Sequence, residues 1–297
     1  MAKDRRRALM ACSNYWGSPF QVGSHRIARE LVKDGWDVAF IGDPVSPIDF
    51  ISPSARREVG ARWSNHRNRG ERDLEGHLWS YVPASLIAPH NRPLLRSRWV
   101  HRHWHRLALS SPAKVAAQAG FGEVDLPYID SFSQGFWLDA IPHRRSIYRM
   151  ADLNRFQKRY CAAAEWMEKS IIRRVDRVLT PSRRLSQIAE EMGAQAVTYF
   201  PNGGPSSDFL QTTRPRSEDL ASIPGPIAVY MGVMPEWFDF DLIRLAASRL
   251  PDVSFVLIGP DRLAQTRLQG IKNVYLLGVR PYPDLPAYLP YAQVGLM

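Results

Sequence analysis

The stretch RALMACSNYWGSPFQVGSHRIARELVKDGWDVAFI, residues 7–41, decides the fold class. Residues 7–12 form a short apolar run that reads as a buried strand. A polar, glycine-containing loop follows, residues 13–23. In residues 24–33, Ile27, Ala28, Leu31 and Val32 recur at helical spacing, with Ser24 as the expected N-cap and Gly35 as the stop. Residues 37–41 read as a second buried strand. Strand, loop, helix and strand within about 40 residues make a βαβ unit with a parallel sheet. The loop lacks G-x-G-x-x-G, which disfavours a nicotinamide or flavin dehydrogenase, and no G-x-x-x-x-G-K-[ST] occurs anywhere, which disfavours a P-loop NTPase.

Outward from this unit the same rhythm continues. Strands are expected at 78–82, up to Asp130, at 146–150, 178–180 and 197–200. Helices are expected at 156–175 and from Pro181-Ser182 to about Met192. Residues 52–76 are polar and arginine-rich and read as a loop with a marginal helix. Residues 205–226, rich in Ser, Thr, Pro and Arg, read as an interdomain linker. A second alternation then begins: strand 227–231, helix 238–250, strand 254–258, short helix 262–268, strand 274–277, helix 284–291 and a strand from Val294. The expected organisation is an N-terminal domain over 1–204, a linker over 205–226 and a C-terminal domain over 227–297.

Composition narrows the class. With 297 residues, 45% hydrophobic and 23% charged, the chain is globular and long enough for two domains. Two cysteines, Cys12 and Cys161, are too few for a disulfide framework and point to a reducing compartment. No run of about 18 apolar residues exists, so no spanning helix is expected. The formal charge of +10 is uneven: residues 1–200 hold 31 Lys and Arg against 20 Asp and Glu, and residues 201–297 hold 8 against 9. The basic first part calls for an anionic partner, or else is a solvated arginine-rich surface. No nucleic-acid-binding motif is present, so no nucleic acid is expected.

Pieces spread over nearly the whole chain carry a resemblance: Trp16-Gly17-Ser18-Pro19 to His25-Arg26, Ile147-Tyr148-Arg149-Met150-Ala151-Asp152, Leu179-Thr180-Pro181-Ser182, Pro201-Asn202-Gly203, Tyr230-Met231-Gly232-Val233-Met234, Phe255-Val256-Leu257-Ile258-Gly259, and Asn273-Val274 to Leu277-Gly278. Their order and spacing resemble the GT-B glycosyltransferases, and most the glucuronosyltransferase GumK family of xanthan-type exopolysaccharide synthesis. The resemblance implies an α/β fold of GT-B type: two Rossmann-like parallel-sheet domains facing a cleft. The C-terminal domain is expected to be truncated, because its last strand stops at Met297.

It further implies transfer of a sugar, glucuronic acid being the family's, from a UDP-sugar to a lipid-linked or polysaccharide acceptor. No metal or separate cofactor is implied, the UDP-sugar being a co-substrate. Asp152, just after a strand, would be the general base of an inverting transfer, taking the proton of the attacking hydroxyl; the alternative is an N-cap for the helix that follows. Trp16, Gly17, His25 and Arg26, at a loop and helix N-terminus, would meet the acceptor, or a solvated helix end would stand there instead. Met231, Gly232 and Met234 would approach the nucleotide diphosphate, with Val279 and Arg280 at the base.

Residues 92–107, RPLLRSRWVHRHWHRL, read as one helix with Arg98, Arg102 and Arg106 on a basic face. Arg92, Arg96, Trp99, Arg102, Trp104 and Arg106 are expected to meet an anionic membrane surface, placing the protein in the cytoplasm at the inner face of the cell membrane. A helix packed on the core is the competing expectation. At the level of function, the alternatives are a catalytically incomplete α/β binding protein and a basic module for anionic lipid or nucleic acid.

Overall fold

The computed structural model describes residues 5–18, 21–51, 56–156, 160–203 and 217–297. The chain divides into two compact units, Met1–Gly203 and Gly204–Met297. The first holds strands β1 (Arg6–Ala11), β2 (Trp36–Ile41), β3 (Glu71–Asp73), β4 (Leu78–Tyr81), β5 (Leu126–Ile129), β6 (Ile147–Arg149), β7 (Arg177–Thr180) and β8 (Val197–Tyr199). Its helices are α1 (Gly23–Lys33), α2 (Pro47–Ile51), α3 (Arg56–Arg67), α4 (Arg98–His103), α5 (Pro112–Ala116), α6 (Trp137–Ala140), α7 (Ala162–Ile172) and α8 (Arg183–Glu191). The sheet order is β3-β4-β2-β1-β5-β6-β7-β8, parallel throughout except that β3 runs antiparallel to β4.

Period-two burial explains the strands. Along β1, Met10 packs with Val38, Phe40 and Ala28 of α1 on one face. Leu9 and Ala11 pack with Ala39, Ile41, Trp137 and Ile171 on the other. Both faces are covered, so the strands read as continuous apolar runs. Each fully buried Leu, Ile or Met contributes about 1.5–3 kcal/mol.

The second unit holds β9 (Ile227–Met231), β10 (Ser254–Ile258), β11 (Val274–Gly278) and β12 (Val294–Leu296), with α9 (Phe240–Arg249) and α10 (Arg262–Arg267). Its four strands are all parallel, ordered β11-β10-β9-β12. Val229, Val256 and Ile258 face one core, and Leu257 faces another with Phe240 and Ile243 of α9.

Several expectations change. Residues 56–67 form a full helix and Glu71–Asp73 forms an edge strand, where a loop with a marginal helix was expected. Trp63 of α3 packs beside Val59 and Val82, which supplies the missing apolar anchor. The expected helix 156–175 begins only at Ala162, after the turn Asn154–Phe156, and residues 157–159 lie outside those described. The expected helix at 284–291 is two 3₁₀ turns, Tyr282–Ala287 and Leu289–Tyr291, because Pro286 and Pro290 cannot donate to a helical ladder. Of the expected linker, residues 205–216 lie outside those described. The remainder is not a free linker: it carries the turn Glu218–Leu220, and Leu220 and Ile223 enter the second unit's core.

The stretch 92–107 is not one continuous helix. α4 ends at His103 and a 3₁₀ turn, Trp104–Leu107, follows. Trp104 is fully buried, edge-on to Phe136, and donates its indole N–H to the Ser133 carbonyl at 2.7 Å. Trp104 is therefore a core residue and leaves the expected membrane-facing set. Arg92, Arg96, Trp99, Arg102 and Arg106 are exposed.

Candidate active site

In a parallel sheet, ligand sites form beyond the carboxyl ends of the strands. In the first unit those ends carry a connected polar cluster. Asp130 follows β5 and accepts a hydrogen bond from the Ser13 N–H, just past β1, at 3.0 Å. Ser24, in the first turn of α1, donates its hydroxyl to the other oxygen of Asp130. Ser24 in turn accepts from Arg149, the last residue of β6, at 3.4 Å. The second terminal nitrogen of Arg149 donates to the Asn202 side-chain carbonyl, beyond β8, at 2.8 Å. Four strand ends and the start of α1 are thus joined through one guanidinium.

Arg149 is only 8% exposed. A buried guanidinium needs acceptors in place, and here Ser24 and Asn202 provide them. Burial holds the Asp130 carboxyl above its usual range, while Ser24, the Ser13 N–H and Arg149 oppose the rise. Gly23 is required by proximity: a Cβ there would lie 2.7 Å from an Arg149 nitrogen.

Asp152 lies three residues beyond the end of β6, at the same rim. Its side chain is at the surface and has no hydrogen-bond partner among the described residues. Loss of surrounding water pushes its carboxyl upward, and Arg149 acts against that shift. Asp152 is thus a carboxylate at the rim with no hydrogen-bond partner among the described residues, in electrostatic reach of Arg149.

The expected acceptor residues divide. His25 is fully buried: its Nδ1 accepts from the Val22 N–H at 3.2 Å, and its Nε2 lies 3.0 Å from the Tyr15 carbonyl. It stacks on Trp16 and tilts against Phe40. Burial lowers its pKa, so the ring is a neutral anchor for the loop and does not point at solvent. Trp16 is also buried, donating to Asp73 at 2.8 Å under the Arg29 guanidinium. Neither is a solvated contact; both hold the loop in which Gly17 is exposed. Arg26 is half-buried. Pro19 of the quoted motif lies outside the described residues. Ser24 is not the N-cap, a position taken by Val22; its hydroxyl belongs to the polar cluster instead.

In the second unit, Gly232, Gly259 and Gly278 stand at the carboxyl ends of β9, β10 and β11. The Gly232 N–H donates to Ile258 O, and the Gly259 N–H donates to Gly278 O, both at 2.9 Å. Gly259 has φ +145°, and a Cβ there would lie 1.9 Å from the Gly232 carbonyl. Three adjacent strand ends therefore present bare backbone, as a phosphate-bearing ligand requires for close approach. Tyr230 donates to the Val233 carbonyl at 2.8 Å and straps the turn after β9. Met231 is half-buried and packs on the core beside Ile227.

Two expected donor contacts change role. Met234 is buried in the core with Phe240 and Ile243, and so faces inward. The Arg280 side chain donates to Asp219 at 2.7 Å, and Tyr288 donates to the same oxygen. These two donors hold the Asp219 carboxyl below its usual range. Arg280 is thereby committed to tying residue 219 to the strand end. Val279 beside it is exposed.

Arg149, Asn202 and Asp130 carry no site role in the sequence expectations, where Asp130 only ends a strand. The available signal was an arginine closing an otherwise apolar strand.

Among the described residues, no three His, Cys, Asp or Glu side chains come together as a metal-binding group. No helix there is long and apolar enough to cross a membrane.

Residues 10–181 match the family model described as glucuronosyltransferase GumK, N-terminal domain. No curated protein matches. Among solved structures, sucrose-phosphate synthase from Thermosynechococcus elongatus has TM-score 0.68 at 14% identity, over 98% of this chain and 75% of its own. Anabaena HepE, in complex with UDP and glucose, has TM-score 0.60 at 15% identity, over 98% and 73%. The trehalose-6-phosphate protein of E. coli, bound with UDP-2-fluoro glucose, has TM-score 0.62 at 10% identity, over 98% and 78%. All three share the GT-B fold with this chain, which spans about three quarters of each.

Proposed function

From a chain that belongs to the GumK glucuronosyltransferase N-terminal-domain family, and is thus a GT-B glycosyltransferase, we propose an inverting transfer of glucuronic acid from UDP-glucuronate to a lipid-linked saccharide. The acceptor hydroxyl attacks the anomeric carbon, the bond from that carbon to the diphosphate oxygen breaks, and UDP leaves with the electron pair. Asp152 takes the hydroxyl proton. The observation that carries the reading is Asp152 itself: a carboxylate with no hydrogen-bond partner among the described residues, raised in pKa, at the carboxyl-end rim beside Arg149.

The glycine-lined strand ends of the second unit give backbone room for the diphosphate. UDP ligands in HepE and in the E. coli neighbour support the choice of nucleotide. No metal is assigned a part in the transfer. Asp130, Ser24 and Arg149 fix the rim from which Asp152 projects. Exposed Arg92, Arg96, Trp99, Arg102 and Arg106 would bring the protein to an anionic membrane surface, at the inner face of the cell membrane where a lipid-linked acceptor is carried. This would be a step of exopolysaccharide synthesis.

A panel of UDP-sugars, read by thermal unfolding, tests the donor. A ligand at 100 times its Kd stabilises the native state by about 2.7 kcal/mol. UDP-glucuronate should give the largest upward shift. No shift with any UDP-sugar would overturn the reading.

A further inference from the structure

A polar cavity lies in the first unit, lined by residues of α4, the turn Trp104–Leu107, α6 and α7. It measures about 590 Å³. None of its lining residues belongs to the strand-end cluster of Asp130, Arg149 and Asp152.

The wall is built from three kinds of group. Arg102 and Arg106 both line it, and neither has an ion-pair or hydrogen-bond partner among the described residues. Among the described lining residues the one carboxylate, Asp139, is already ion-paired to Arg174. His105 lies flat on Phe136, with centroids 4.3 Å apart and planes 12° apart, and its Nδ1 is buried with no partner. Trp166 adds an aromatic side, with the Arg98 guanidinium 5.4 Å from its ring.

Two unneutralised guanidiniums and a buried imidazole nitrogen without a partner converge on one cavity. A buried polar atom left unsatisfied is costly, and a ligand oxygen would satisfy it. Guanidinium groups bind phosphate through paired N–H donors. We propose that this cavity is a binding site for a phosphate group, carried either by an anionic lipid headgroup or by a free phosphate. The aromatic wall leaves room for the apolar or sugar part attached to it. The site uses none of the residues assigned to sugar transfer; Arg102 and Arg106 are shared only with the proposed membrane contact, so its failure and that of the transfer reading are distinguishable.

The test is binding of inorganic phosphate by calorimetry to the full chain, its Arg102→Gln/Arg106→Gln variant, and an Arg92→Gln/Arg96→Gln variant that removes equal charge outside the cavity. The substituted arginines are exposed, so unchanged thermal midpoints will show that the fold is kept. The cavity pair should weaken phosphate binding about tenfold or more, and the outer pair should leave it near the wild-type value. Vesicles with and without phosphatidylglycerol identify the source. Vesicle binding lost more in the cavity pair than in the outer pair assigns a lipid headgroup. Equal vesicle loss, with phosphate binding selectively impaired, assigns a free phosphate. No phosphate binding by the wild type, or equal weakening by both variants, overturns the site.

Discussion

Arg149, closing β6, donates to the Asn202 side-chain oxygen beyond β8 at 2.8 Å, passing the end of the intervening β7. The same guanidinium reaches Ser24 at the start of α1, so one buried cation sets the positions of several loops at the strand ends.

Asn202→Ala removes the better of the two acceptors while leaving the guanidinium buried. Because Asn202 itself is exposed, the cost should be about 1 kcal/mol, a lowering of the thermal midpoint by about 2–4 °C for a unit of this size. An unchanged midpoint would show that solvent replaces the contact fully.

Gly23→Ala should cost more. The new Cβ would meet Arg149 at 2.7 Å, and displacing a buried guanidinium costs about 1–3 kcal/mol, as overpacking generally does. Urea unfolding measures this directly. Transfer activity should fall further than stability explains, because the displaced group holds the rim that carries Asp152.

Gly259→Ala should damage the second unit. A Cβ placed 1.9 Å from the Gly232 carbonyl forces β9 and β10 apart at their carboxyl ends, at φ +145° where L side chains are strained. UDP binding by calorimetry should be abolished, with residues of the first unit retaining their protection from hydrogen exchange. Wild-type UDP affinity in this variant would remove the glycine-lined edge from the donor site.

Acidification should destabilise the first unit through two histidines. Burial lowers both His101 and His105 from 6.5 to about 4. Between those values the unfolded chain binds more protons than the folded one, so stability rises with pH from about 4 to 6.5 and is lost on going down. The combined effect is of the order of a few kcal/mol. Asp130 acts in the opposite sense, its raised carboxyl favouring the folded state as pH falls toward its ordinary value. His101→Phe should flatten the urea-midpoint slope over that interval. A slope equal to wild type would remove His101 as a contributor.

The strands were legible as apolar runs: β9 stands between Pro226 and Gly232, and the apolar run of β10 ends at Gly259. α3 was legible only as a marginal helix, because its arginines mask the two apolar side chains, Val59 and Trp63, that pack it down. β3 was hidden for a similar reason: Glu71, Arg72 and Asp73 have no strand pattern, and pair with β4 across the turn that follows, where Leu74, Glu75 and Gly76 take positive φ. Ser24 reads as a cap by type, and only the long-range approach of Asp130 shows its hydroxyl to be taken. His25 and Met234 illustrate the same limit. Sequence placed them at loop ends near ligand sites, and tertiary packing turned their side chains inward.

The central assignment is tested most directly by Asp152→Asn, assayed for transfer from labelled UDP-glucuronate and, in parallel, for UDP binding by calorimetry. The amide keeps the size of the side chain but cannot accept the hydroxyl proton. Transfer should fall by about 10²–10⁴-fold, the usual contribution of a general base, with UDP affinity and thermal midpoint unchanged. Wild-type turnover in the Asn variant would contradict Asp152 as the base.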